Sequence, residues 1–202
     1  EAGVRIANSD YLKAARKRCD ETGTLLIFDE IQSGFGRTGK FWAFEHTGTT
    51  PDILLSAKGM GGGMPIGCFI SSSEIMSCLK ENPILGHITT FGGHPVSAAA
   101  ALATLDVIHH EGLMKSVEEK ESLFRSLLTH GSIKDIRSKG LMMAVELGSF
   151  DQLKAVIDKA IEKGVITDWF LFCDNSMRIA PPLTITMEEI EKACSLILQA
   201  ID

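Results

Sequence analysis

Residues 24–30, TLLIFDE, form a short, continuously apolar run that ends in two carboxylates. Continuous apolarity over so few residues is typical of a strand buried on both faces, as in a parallel sheet. Two later runs, DILLSAK at 52–58 and PIGCFISS at 65–72, have the same character. A helical pattern within 8–23, stopped by Gly23, precedes the first run. This order of elements predicts an α/β fold with a mostly parallel sheet flanked by helices.

The second part of the chain has a different pattern of predicted helices and strands. After HHEG the pattern changes to a helix, two alternating strands around Lys139 and Gly140, further strand pieces and a final helix. This mixture is typical of an α+β module, so we predict a boundary near residue 110. The predicted domains are 1–110, a part of a large domain, and 111–202, a smaller C-terminal domain. The predicted helices lie at about 73–80, 95–110, 113–130, 150–163 and 187–201.

Composition restricts the classes of function. The net charge of −6 argues against a nucleic-acid partner, which normally requires a basic face. No apolar run approaches the roughly 18 residues that cross a bilayer, and no signal-peptide pattern opens the chain, so we predict no membrane partner. The five cysteines are scattered and odd in number, which favours reduced thiols in a cytoplasmic protein over disulfides or a metal site.

A glycine-rich stretch, DEIQSGFGRTGKF at 29–41, fits two nucleotide-binding spacings. As a P-loop it lacks the Ser or Thr that holds magnesium, because Phe41 follows Lys40. As a dinucleotide fingerprint it lacks a following helix and an acid about 20 residues further on. Two carboxylates at the end of the strand would also repel a polyphosphate. The glycines therefore require another explanation.

Asp29 and Lys58 suggest one. Each follows a predicted buried strand, and the carboxyl ends of such strands are where open α/β sheets bind ligands. An acid there needs a cationic partner, and a lysine whose pKa is lowered by burial can form a Schiff base. An aspartate facing a ring nitrogen and a Schiff-base lysine are together what pyridoxal phosphate requires. Spacing alone favours the simpler interpretation of Lys58 as a surface lysine in a glycine loop.

Four ordered segments carry a resemblance to a known family: LLIFDEIQSGFGRTGKFWAFEH, PDILLSAKGMGGGMPIG, TTFGGHP and MRIAPPLTIT. They resemble the class III, pyridoxal-phosphate-dependent aminotransferases of fold type I, which include ornithine, acetylornithine and other ω-amino acid aminotransferases. The resemblance covers essentially the whole chain. It implies a cytoplasmic homodimer or higher oligomer that moves an amino group from an amino acid, ornithine-like or another ω-amino donor, to a 2-oxo acid.

The resemblance implies cofactor-binding roles for four residues. By matching position, Asp29 is similar to the partner of the pyridinium nitrogen and Lys58 to the lysine that carries pyridoxal phosphate. Gln32 is similar to the residue beside the phenolic oxygen of the cofactor. Thr90 resembles the hydroxyl that reaches the phosphate of the cofactor in the neighbouring subunit. Ile88 stands where the family usually has a glycine, which weakens the match around this threonine.

The resemblance also implies a substrate-binding pair. Arg178 is similar to the arginine that grips the substrate carboxylate, and Glu1 to a glutamate that pairs with this arginine in ornithine-type members. Arg37 either lies beside the ring with the glycine loop or holds that loop in place. No metal ligands are implied.

Length is the largest departure from the family, whose members are about twice as long as these 202 residues. The family match places the absent half before Glu1, so we expect this chain alone to be an inactive C-terminal fragment. Two alternatives stay open. One is a decarboxylase or aminomutase of the same class, and the other is a noncatalytic fragment that only dimerises.

Overall fold

A computed structural model describes residues 1–202, which form two compact units. The N-terminal unit contains Ala7–Gly36 and Lys40–Gly112. The C-terminal unit contains Leu113–Asp202 together with two short earlier segments, Glu1–Ile6 and Arg37–Gly39. The sequence suggested one break near residue 110, whereas the chain enters the C-terminal unit three times.

The N-terminal unit consists of three helices and a small sheet. Two 3₁₀ turns, Ala43–His46 and Lys58–Gly61, follow the first and second strands. The regular elements are α1 (Ser9–Thr22), β1 (Ile27–Asp29), β2 (Ile53–Ser56), β3 (Cys68–Ser71), α2 (Ser73–Ser77) and α3 (Pro95–His110).

The sheet of this unit has the order β1-β2-β3 and is mixed. β1 and β2 are parallel, whereas β3 runs antiparallel to β2. Within these three strands the expectation of a mostly parallel sheet is therefore wrong for β3. The expectation of strands buried on both faces is also wrong, because Ile27 in β1 is 52% exposed while Leu54 in the central strand is buried. In a three-stranded sheet two strands are edges, so only the middle strand is flanked on both sides.

Local sequence signals explain where the two long helices of this unit begin and end. The Asn8 side chain accepts a hydrogen bond from the Tyr11 N–H at 2.7 Å, which caps α1. Gly23 ends the helix with φ of 68°, a left-handed conformation that glycine adopts without a steric penalty. Pro95 occupies the first turn of α3, where its missing N–H costs no hydrogen bond.

The C-terminal unit is an α+β layer built on an antiparallel sheet of order β4-β5-β7-β6. All of its strand pairs are antiparallel, in contrast to β1 and β2. Its elements are α4 (Val117–Leu127), β4 (Asp135–Lys139), β5 (Met142–Glu146), α5 (Phe150–Glu162), β6 (Asp168–Phe170), β7 (Cys173–Ile179) and α6 (Met187–Ile201).

The core of this unit covers both faces of the central strand β5. Met143 and Val145 are fully buried on one face, and Ala144 is fully buried on the other, because side chains alternate along a strand. Ala144 packs with Phe170 and with Val4 from the first residues of the chain. The segment Glu1–Ile6 is therefore anchored to this sheet by apolar burial. None of the helices in the chain combines the length and the apolarity that a bilayer crossing needs.

Asp52 connects α1 to the sheet of the N-terminal unit. Its Oδ2 accepts from the Leu26 N–H at 2.6 Å and lies 2.7 Å from Nη1 of Arg16. The Leu26 hydrogen bond, followed by the contact with Arg16, lowers the pKa of Asp52 below its usual value of about 3.9. A carboxyl with a depressed pKa stabilises the fold above its unfolded-state pKa and loses this contribution as the pH falls through the folded-state value.

We therefore expect Asp52→Asn to lower the free energy of unfolding by about 1 kcal/mol at pH 7. The difference from wild type should begin to shrink below about pH 4, because the carboxyl of the unfolded chain then takes up a proton, and it should vanish only below the lower pKa of the folded carboxyl. Urea denaturation from pH 7 to pH 3 measures both values. Asp20→Asn is the matched control, since Asp20 also contacts Arg16 but its side chain is 64% exposed. A difference as large at pH 3 as at pH 7 would contradict this account.

Candidate functional site

Asp29 and Lys58 lie at the same edge of the sheet. Asp29 is the last residue of β1 and stands opposite Leu55 in the parallel strand β2. Lys58 follows two residues after Ser56, where β2 ends. The sequence predicted that Asp29 and a buried Lys58 would lie together away from water. Both residues are instead exposed to solvent. The physical reason is the small sheet, which leaves the carboxyl ends of its strands open to solvent.

The carboxylate of Asp29 is oriented by its own turn. Its Oδ1 accepts a hydrogen bond from the Ile31 N–H at 2.9 Å. Gln32 follows in the same turn and is half-buried. Thr90 lies in an exposed turn that precedes α3 in the chain. The sheet edge therefore collects three of the four predicted cofactor residues within the β1–β2 connection and the turn after β2.

The backbone at Lys58 is unusual. Lys58 has φ of 47°, in the left-handed region that costs a non-glycine residue about 1 kcal/mol or more. It opens the 3₁₀ turn Lys58–Gly61, after which Gly62 is also left-handed. A Cβ at Gly62 would lie 2.2 Å from Oγ1 of Thr104 in α3, so this position requires glycine. Because glycines follow Lys58, the turn can approach α3 closely. The same turn holds Lys58 in its strained backbone conformation.

The glycine loop that fits the nucleotide motifs serves packing. A Cβ at Gly34 would lie 2.7 Å from the ring of Trp42, so only glycine allows this approach. Phe35 and Phe41 pack against the same indole, with ring centroids 5.5 and 4.9 Å from it, and His109 stacks on Phe41 at 5.4 Å. No helix starts at these glycines. An aromatic cluster therefore explains the spacing that resembled a phosphate-binding loop.

Glu30 has a role that the sequence analysis did not identify. It follows Asp29 directly, yet its side chain is buried and its two carboxylate oxygens accept hydrogen bonds from the residues of the loop. Strand alternation was the available signal, because the neighbour of a residue that faces one side of a sheet faces the other. The two adjacent acids thus have opposite environments, one open and one enclosed.

Arg178 in β7 lies between two carboxylates. Its Nη2 is 2.7 Å from Oε2 of Glu1, and its Nε is 3.3 Å from Oδ1 of Asp168. The contact with Asp168 is an ion pair without hydrogen-bond geometry, because Nε has no hydrogen-bond partner. Nη2 also donates to the carbonyl of Trp169 at 3.1 Å, and the guanidinium lies 4.7 Å from the centroid of the Phe170 ring. The predicted contact between Glu1 and Arg178 is present.

Tertiary structure holds Glu1 in place. Its backbone carbonyl accepts from the Phe172 N–H at 2.8 Å, and its Oε2 accepts from the Leu171 N–H at 3.1 Å. Asp168 was missed by the sequence analysis because its relation to Arg178 depends on strand register. The two residues stand directly opposite each other in the β6–β7 pair, where opposite charges attract.

The hydrogen bonds of Arg37 favour the structural one of its two predicted roles, and they lie within the C-terminal unit. Its Nη1 donates to the carbonyl oxygens of Leu141 and Pro181. Burial lowers the pKa of the Arg37 guanidinium from its ordinary value. These bonds attach the segment Arg37–Gly39 to the C-terminal unit, where Gly140 leaves room for it.

The chemistry of the residues at the sheet edge fits pyridoxal phosphate. The carboxylate of Asp29 can accept a hydrogen bond from a protonated pyridine nitrogen, and the primary amine of Lys58 can attach to an aldehyde. Both groups are exposed at one edge, so a ring can reach them. No group of three or more His, Cys, Asp or Glu side chains is arranged to hold a metal ion.

Comparison with known proteins identifies the family. The family model of class III aminotransferases matches residues 1–201. The chain is 40% identical to the acetylornithine aminotransferase of Caldanaerobacter subterraneus subsp. tengcongensis, over 98% of this chain and 50% of that protein. An aminotransferase from Bacillus anthracis has 33% identity and a TM-score of 0.90, over 98% of this chain and 49% of that one.

The ornithine aminotransferase of Toxoplasma gondii ME49 is also similar, with 36% identity and a TM-score of 0.88, over 98% of this chain and 48% of that one. The chain thus spans about half the length of the relatives it matches. The α/β architecture with an appended α+β unit agrees with these structures. On the match over nearly all of its residues, the chain belongs to the class III aminotransferases.

Proposed function

We propose that the protein containing this chain transfers an amino group from an amino acid to a 2-oxo acid with pyridoxal phosphate as cofactor. The observation that carries the proposal is the placement of Asp29 and Lys58 at the ends of two adjacent parallel strands. Residues 1–110 would supply part of the cofactor-binding domain and residues 111–202 the smaller domain. The kinship with acetylornithine and ornithine aminotransferases supports this assignment.

Each residue of the sheet edge has a defined task in this proposal. When bound, pyridoxal phosphate supplies an electron sink for the carbon that carries the amino group. The carboxylate of Asp29 accepts a hydrogen bond from the ring nitrogen and keeps it protonated. The Nζ of Lys58 would hold the cofactor and, once the amino group of the substrate has displaced it and left it as a free amine, would remove and return a proton at the substrate carbon. Gln32, three residues beyond Asp29, would lie beside the phenolic oxygen of the ring.

The proposed donor is ornithine-like or another ω-amino acid. Arg178 is the group that would bind a substrate carboxylate, a task that suits its planar fork of donors. In the structure its charge is already matched by Glu1 and Asp168. An incoming carboxylate must compete with these two acids, whereas an amine-bearing end of a substrate meets them favourably. This competition supports a donor that presents an amine rather than a carboxylate beside Arg178.

Arg178→Ala is expected to raise the KM of the 2-oxo acid about 10- to 100-fold, since hydrogen bonds to charged groups contribute about 1.5–3 kcal/mol. The absorption spectrum of the bound cofactor should not change. Glu1→Ala should lower the KM of α-carboxylate substrates and reduce the preference for the ω-amino donor, because the competing carboxylate is lost. Steady-state kinetics with both substrates measures these effects. If Glu1→Ala leaves the donor preference unchanged, Arg178 is a simple anchor without a competing partner.

A half-reaction tests the proposed function. The purified protein, loaded with pyridoxal phosphate and mixed with an ω-amino donor, should yield pyridoxamine phosphate and an aldehyde at the carbon that lost its amino group. A decarboxylase would release carbon dioxide instead, an aminomutase would return an isomer of the donor, and a noncatalytic protein would give no product.

Borohydride reduction and peptide mapping should place the pyridoxyl group on Lys58. Labelling of Lys40 instead would overturn the assignment.

We also propose that two copies of the protein associate, and that Thr90 contacts the cofactor phosphate of the neighbouring copy. Exposed apolar side chains support association. Ile84, Phe91 and Leu102 are 78%, 77% and 60% exposed, and all three belong to the N-terminal unit. Such exposure is typical of surfaces that become covered by other protein. Sedimentation velocity measures the assembly.

A further inference from the structure

Glu30 is the one acidic residue among the buried polar residues of the chain, with 4% of its surface exposed. A buried carboxylate is costly unless hydrogen bonds replace its water shell. Its position is also notable, because it immediately follows Asp29, which the proposed function assigns to the cofactor ring. The contacts of Glu30 therefore bear on how that ring would be held.

Three donors surround the carboxylate of Glu30. Its Oε2 accepts from the Ser33 hydroxyl and from the Ala43 N–H, and its Oε1 accepts from the Phe44 N–H, each at 2.8 Å. All three groups donate, so the side chain acts as an acceptor only, as an ionised carboxylate does. Ala43 and Phe44 begin a 3₁₀ turn, whose first N–H groups lack partners of their own. Glu30 thus caps this turn from 13 residues away.

The backbone of Glu30 is fixed as well. Its N–H donates to the carbonyl of Leu55 in β2, and its carbonyl accepts from the Gly34 N–H, both at 3.0 Å. The residue therefore joins the end of β1 to β2, to the first part of the loop and to its far end at Phe44. The loop between these points carries Gln32. These polar contacts of Glu30 all lie within the N-terminal unit.

We infer that Glu30 is a positioning residue for the cofactor site, an inference that rests on the proposed function. Asp29 and Gln32 lie on either side of Glu30 along the chain, and their backbone is immobilised by its hydrogen bonds. A carboxylate that must meet a ring nitrogen at hydrogen-bond distance tolerates little displacement, since misplacement by about 1 Å can cost roughly a hundredfold in rate. Glu30 acts from the enclosed face of the strand, while Asp29 faces the open edge.

The test compares two isosteric variants of the protein that contains this chain. Glu30→Gln keeps the shape of the side chain but replaces one carboxylate oxygen with an NH₂ group, which cannot accept a hydrogen bond from an N–H. Glu45→Gln is the matched control. Glu45 is exposed and accepts from the Trp42 N–H at 2.8 Å, so it also caps the same 3₁₀ turn but does not reach Ser33. Ser33→Ala removes a single bond of Glu30 and serves if Glu30→Gln fails to fold.

Three measurements are made on each variant. Hydrogen exchange of the cofactor-free protein should accelerate across residues 31–44 in Glu30→Gln, independently of any cofactor. The dissociation constant of pyridoxal phosphate should rise about tenfold or more, because the displaced carboxylate of Asp29 makes a weaker charge-assisted hydrogen bond to the ring. The pH midpoint of the visible absorption of the bound cofactor should move upward, since a poorly held ring proton withdraws less electron density from the attachment to Lys58.

The outcomes separate positioning from plain stabilisation. The inference holds if Glu30→Gln changes cofactor affinity and the pH midpoint while Glu45→Gln leaves both near wild type, with Ser33→Ala changing them in the same direction by a smaller factor. It is overturned if Glu30→Gln only lowers the melting temperature and binds the cofactor like wild type. A wild-type protein that binds no pyridoxal phosphate would instead overturn the proposed function itself.

Discussion

Lys58→Ala is expected to lower the rate of amino transfer by at least about a thousandfold. The variant loses both the amine that attaches the cofactor and the base that moves a proton at the substrate carbon. Single-turnover mixing of cofactor-loaded protein with an ω-amino donor measures the rate. Folding should change little, because the Lys58 side chain is exposed and its φ of 47° is a strain that the substitution does not relieve.

Lys40→Ala is the matched control for this prediction. Lys40 is likewise exposed and lies close to a glycine, but the proposed function gives it no part in the chemistry. We expect its rate to remain within about twofold of wild type, as for most surface substitutions. A Lys58→Ala variant that keeps a tenth or more of the wild-type rate would show that another amine holds the cofactor.

Asp29→Ala is expected to slow the chemical step about a thousandfold while leaving stability nearly unchanged. Without this carboxylate the ring nitrogen is no longer held in its protonated form, so the cofactor accepts electrons less well. A loss of about 4 kcal/mol in the stabilisation of the carbanion corresponds to this factor, at roughly 1.4 kcal/mol per tenfold in rate. The fold should tolerate the change, since Asp29 is exposed and its Oδ1 accepts only a local hydrogen bond from Ile31.

Asp29→Asn separates charge from shape. Its amide oxygen can still accept from the Ile31 N–H, but it has no negative charge to keep the ring nitrogen protonated. We expect a rate close to that of Asp29→Ala, together with a thermal midpoint equal to that of wild type. Near-normal turnover in either variant would place the cofactor ring elsewhere.

Local patterns predicted the helices well. α3 occupies Pro95–His110 and α6 occupies Met187–Ile201, close to the predicted ranges. The reason is that capping and stop signals act over a few residues, as Thr186 and Glu189 show by bonding reciprocally at the start of α6. The two strands predicted around Lys139 and Gly140 also form, because the turn between them is short.

Strand environment was predicted less well. The apolar runs correctly indicated β1, β2 and β3, but apolarity does not encode direction, and β3 proved antiparallel. Nor does it encode burial, which depends on how many neighbours a strand has. Ile27 is half-exposed although its sequence context is that of a core strand.

By itself the sequence determined the order of elements, the two candidate residues Asp29 and Lys58, and membership of a family whose motifs are short and ordered. Only the tertiary structure decided which side chains meet across long separations. Glu1 reaches Arg178 because Val4 is buried against β5, and Asp168 reaches it through strand register. Glu30 is enclosed because a turn 13 residues later folds back onto it. Such contacts depend on packing and register, which are properties of the whole fold and not of any local stretch of residues.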